Sequence, residues 1–107
     1  MSAYVLIASE DPFEPDAGHF NTLAIDLRRA GHEVTLFLVQ NAVFAARAAC
    51  PKAPLPSLLE ASVEVLADEF SLRERGIASL ELRSSVRAAP LDVLVELLAS
   101  GRRALWN

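Results

Sequence analysis

Hydrophobic positions along this chain fall into two alternating periods. Short apolar runs rich in β-branched and aromatic residues occur at Tyr4–Ala8, at His32–Val39 (HEVTLFLV) and at Val63–Ala67, and such runs mark strands covered on both faces. Between the first two, Phe20, Leu23, Ala24 and Leu27 recur at i, i+3, i+4 and i+7. That spacing predicts a helix capped by Asp16 and stopped by Gly31, with the turn AGHEV leading directly into the second strand.

After the second strand, Gln40 and Asn41 are placed to cap a helix over Ala42–Ala49, which the three prolines of CPKAPLP interrupt. A second helical piece, Ser57–Ala61, leads into the third strand. That strand stops at Asp68, where a short polar helix, Glu69–Arg75, begins at once and ends at Gly76. Leu80 and Leu82 alternate with Glu81 and Arg83, and Val86 anchors a fourth strand near 84–88. Pro90 starts a helix whose residues Leu91, Leu94, Val95 and Leu98 form a predicted buried stripe before Gly101. Arg103–Trp106 is the last strand, with its tryptophan expected to be covered in part. Five strands alternating with helices predict one three-layer α/β/α domain over residues 1–107, with a mainly parallel five-stranded sheet.

Composition narrows the function classes. Hydrophobic residues make up 52% of the chain and charged residues 22%, which argues against disorder, and the positive mean hydropathy suggests apolar surface kept for a partner. A net charge of -4, with the ten Lys and Arg scattered, disfavours nucleic acid, because phosphate binding needs a concentrated basic face. The opening MSAYVLIASEDPF lacks the basic region of a secretion signal, and no run approaches the ~20 apolar residues of a membrane span. With a single cysteine and no CxxC, the expectation is a cytoplasmic protein.

Loops after parallel strands share one edge of the sheet, so candidate binding residues are expected to converge there. They are Glu10 and Asp11 of the acidic loop SEDPFEPD, His19, Gln40 with Asn41, and Asp68. Glu14 and Asp16 add to the acidity, which would suit a hard divalent cation, but the spacing matches no metal motif and no metal or cofactor is expected. The first loop has neither GxGxxG nor GxxxxGK[ST], so nothing cradles a nucleotide phosphate. Ser9 lies in no nucleophile elbow, and His32 reads as a turn residue. Cys50 has two readings: a thiolate favoured by Lys52 or a nearby arginine, serving persulfide or redox chemistry, or the commoner buried, inert thiol. Arg73 to Arg75 read as a solvated helix end or a subunit contact.

The segments GHEVTLFLVQNAV and SLRERGI, set in this order of elements, resemble the DsrE/DsrF-like family, which includes the DsrEFH proteins of sulfur oxidation and the TusBCD sulfur-relay proteins of tRNA thiolation. The resemblance spans essentially the whole chain. It implies a small cytoplasmic domain that forms homo-oligomers, often trimers or hexamers, or heteromers with other DsrE-like subunits. It also implies exchange with a sulfur-carrier protein and, in active members, a persulfide-bearing cysteine at the end of the third strand, several residues before the Arg-Gly pair. Counting back from Arg75 and Gly76, this chain has Asp68 there. A carboxylate cannot accept and pass sulfane sulfur, so the resemblance implies a non-catalytic or assembly subunit rather than a sulfurtransferase. The alternatives are a sulfur carrier using Cys50 and a divergent member binding a small molecule or metal at its acidic edge.

Overall fold

The computed structural model describes residues 2–14, 18–50 and 55–106. The apolar runs form β1 (Ala3–Ala8), β2 (Glu33–Leu38), β3 (Glu64–Asp68), β4 (Arg87–Ala89) and β5 (Arg103–Trp106), and the helices are α1 (Gly18–Arg29), α2 (Leu55–Glu60), α3 (Glu69–Glu74) and α4 (Leu91–Ala99). All strands pair in parallel, in the order β4-β3-β2-β1-β5. The predicted α/β fold with a parallel five-stranded sheet is therefore the observed one. No described helix is long and apolar enough to cross a membrane.

The strand order explains the two faces. From β1 to β4 the chain steps in one direction, and right-handed crossovers keep their helices on one face. There Ala24 of α1, Leu58 of α2 and Leu72 of α3 pack with Leu6, Leu36 and Val65. The connection from β4 back to β5 runs the other way, so α4 lies on the opposite face, with Leu94 against Val5, Ile7, Phe37 and Leu66. Each fully buried Leu, Ile or Phe stabilises the fold by roughly 1.5–3 kcal/mol, before the entropy of ordering the chain is set against it. Below the sheet, the buried Thr35 hydroxyl donates to Glu64 (2.8 Å) and accepts from Arg102 (3.3 Å), which satisfies it.

Three expectations are corrected. The helix expected over 42–49 is a 3₁₀ helix, Gln40–Ala46, with Val39 at its N-cap position and no side-chain cap. Pairing with a distant segment ends it: Arg83 N–H donates to the Ala46 carbonyl and Ala48 N–H to that of Glu81, forming an antiparallel bridge between Arg47 and Leu82. That bridge also explains why 80–83 alternates without joining the sheet, and β4 is confined to Arg87–Ala89 rather than spanning 84–88. On α4 the stripe is rotated: Leu94 is buried, with Val93 and Leu97 packed beside it, while Leu91, Val95 and Leu98 are 54%, 58% and 41% exposed. Trp106 is 66% exposed and so covered in part, as expected. The proposed Asp16 cap and the prolines at 51 and 54 lie outside the described residues.

Candidate functional site

Asp68 closes β3 and caps α3 with no loop between them. Its Oδ2 accepts from the Ser71 N–H at 3.0 Å and from the Ser71 hydroxyl at 2.7 Å. Aspartate suits this place because it satisfies an orphan amide of the first helical turn, a contribution of about 1 kcal/mol. The Ser71 oxygen in turn accepts from the Gln40 N–H at 2.8 Å. To point that N–H at Ser71, Gln40 adopts φ 51, the left-handed region that non-glycine residues avoid. Arg75 completes the knot, donating from Nε to Asn41 Oδ1 (3.0 Å) and from Nη1 to the Ser71 carbonyl (3.2 Å).

The loop after β2 and the helix after β3 are thus bound together, bringing Gln40, Asn41 and Asp68 to one place as predicted from parallel topology. Asp68 is only 6% exposed. Both of its hydrogen bonds go to Oδ2, leaving Oδ1 without a partner among the described residues. No basic side chain forms an ion pair with it, since the described pairs are Arg87–Glu64 and Arg102–Glu33.

Beside this carboxylate a cleft of about 370 Å³ opens toward α4 and the end of β5. Val39, Leu91, Leu94, Phe70 and the Trp106 ring form its apolar walls, and Asp68, Glu74 and Arg75 supply its charge. Ser71 is no activated nucleophile, because its hydroxyl is locked between Asp68 and Gln40 and no histidine touches it.

The other predicted residues land elsewhere. Glu10 and Asp11 of the loop after β1, and His19 of α1, do not line the cleft. Asp11 Oδ1 accepts from the Phe13 N–H at 2.8 Å, a local turn, while Glu10 and His19 are exposed. Among the described residues no group of three or more His, Cys, Asp or Glu is placed to hold a metal. Cys50 is 3% exposed in the crossover, away from the cleft, and its carbonyl accepts from Arg83 Nη2 at 3.1 Å. His32 is a turn residue whose Nδ1 accepts from the Ser2 N–H at 3.0 Å. Sequence reasoning missed Ser71, Leu91, Leu94 and Trp106 as parts of the site. The Asp-x-x-Ser spacing was a signal for the first, because an N-cap side chain reaches the amide three residues on.

Fold and site together define a parallel α/β domain with a cleft at the carboxyl edge of its sheet. Similar solved structures share that fold. The ychN protein from E. coli matches with TM-score 0.84 and 28% identity over 100% of both chains. A protein of unknown function, MTH1491, from Methanobacterium thermoautotrophicum matches at 0.76 and 14%, again over 100% of both. The conserved protein of unknown function BT1422 from Bacteroides thetaiotaomicron matches at 0.78 and 17%, over 99% of this chain and 95% of its own. No protein-family model and no curated protein matches the chain.

Proposed function

We propose that this chain is a DsrE-like subunit of the sulfur-relay type that acts by assembly or binding and does not itself carry sulfur. The observation that carries the reading is Asp68. It occupies the strand end where the family resemblance puts the sulfur-accepting cysteine, and it is held there as a helix cap by two bonds to Ser71. The full-length likeness to the ychN protein supports the DsrE-like part of the reading.

Sulfur transfer needs a thiolate that attacks, becomes a persulfide and hands on its outer sulfur. The sole thiol, Cys50, is shut in and lies outside the cleft. Support for assembly comes from Val95 and Leu98 of α4 with Leu105 of β5, large apolar side chains left in solvent by the single chain and outside the cleft. The partner is a second copy or another DsrE-like subunit.

The test is to incubate the reduced protein with a persulfide donor and weigh it by intact mass spectrometry. The wild type is expected to gain little sulfur, and Asp68→Cys to gain more, because the new thiol stands at the cleft. Rapid stoichiometric loading of wild type, lost in Cys50→Ser, would overturn the reading and make Cys50 a sulfur carrier.

A further inference from the structure

We propose that the cleft beside Asp68 binds a small protonated amine with an apolar body. The inference stands on the cleft itself and does not depend on the sulfur-relay reading. The buried carboxylate is half used: Oδ2 takes both bonds from Ser71, and Oδ1 is left at the cleft with neither a hydrogen bond nor an ion pair among the described residues. Asp68 is 6% exposed, but Oδ1 is not among the buried atoms left without a partner, so it reaches solvent at the cleft and is open to a charged donor.

Electrostatics select the sign. Glu74 adds a second negative charge to the lining, and Arg75, the one cation among the described residues there, already directs Nε and Nη1 to Asn41 and Ser71. An incoming anion would meet both carboxylates. The walls select the class of cation. Among the described residues no three His, Cys, Asp or Glu gather to hold a metal ion, and Val39, Leu91, Leu94 and Trp106 make the walls apolar. They suit a hydrocarbon or aromatic body, and the Trp106 ring face can also hold an ammonium by cation–π attraction. A volume of about 370 Å³ is at the small end of small-molecule sites. The hydrogen bonds that fix Asp68 and Gln40 already hold the carboxylate in place, so binding orders little of the protein.

Trp106 is the chain's only tryptophan and reports directly on the cleft. The probe is phenethylammonium, with 2-phenylethanol and 3-phenylpropionate as neutral and anionic counterparts of similar size. Phenethylammonium is expected to change Trp106 fluorescence saturably, phenylpropionate to leave it unchanged, and phenylethanol to bind more weakly. Asp68→Asn, which keeps an equally good helix cap, is expected to weaken amine binding about tenfold or more, and Glu74→Gln to weaken it less. Melting curves establish that both variants are folded. Should Asp68→Asn not fold, the charge series on wild type and the Glu74→Gln titration decide the matter. An equal response to all three probes, binding undiminished in folded Asp68→Asn, or no saturable change by about 10 mM amine would overturn the proposal. So would a rise in melting temperature with magnesium or calcium but not with the amine.

Discussion

Truncating Asp68 to alanine removes the one oxygen that accepts both Ser71 bonds and leaves a buried hydroxyl tied only to Gln40. The expected loss is about 1–2 kcal/mol, the range for a lost N-cap. At this chain length each kcal/mol corresponds to roughly 4–8 °C in Tm, so thermal unfolding resolves it easily. Asp68→Asn is expected to retain most of the stability, since asparagine caps as well. Gln40 makes a second case. Its left-handed φ strains a side chain with a Cβ, so Gln40→Gly is expected to melt no lower than wild type and Gln40→Val lower by more than about 1 kcal/mol. The place of Asp68 at a strand end was legible in the sequence because a β-rich run stops there. Its bond to Gln40 through Ser71 was not, because residues 40 and 71 meet only when β2 and β3 pair.

At the level of elements, α4 shows where periodicity stops being informative. In LDVLVELLA nearly every position is apolar, so more than one face qualifies as the buried one. The sheet surface made by Val5, Ile7, Phe37 and Leu66 chose the face carrying Leu94. Leu94→Ala is accordingly expected to cost about 2–4 kcal/mol in denaturant unfolding, through lost burial and a cavity. Val95→Ala is expected to change the isolated chain by less than about 0.5 kcal/mol. Equal costs at the two positions would mean that Val95 is covered in solution. The 3₁₀ helix after β2 teaches the same lesson: its sequence suits a longer helix, but the bridge to Leu82 withdraws the backbone at Arg47.

For the whole molecule, α4 and β5 expose Val95, Leu98 and Leu105 outside the cleft. Such a surface predicts self-association, and light scattering at micromolar concentrations is expected to find more than a monomer. Leu98→Glu is expected to shift the population toward monomer while leaving the melting of the single chain nearly unchanged, because the added charge opposes only the contact between copies. The sequence by itself determined the parallel α/β fold, the positions of β1, β2 and β3, the stripe of α1 and the convergence of Gln40, Asn41 and Asp68. These follow from local periods and from the rule that parallel strands exit on one edge. Only the tertiary structure decided that the acidic first loop stays out of the cleft beside Asp68, that α4 turns Leu94 inward, and that Trp106 reaches the cleft. Strand order and helix rotation are set by contacts between segments far apart in the chain, and no local pattern encodes them.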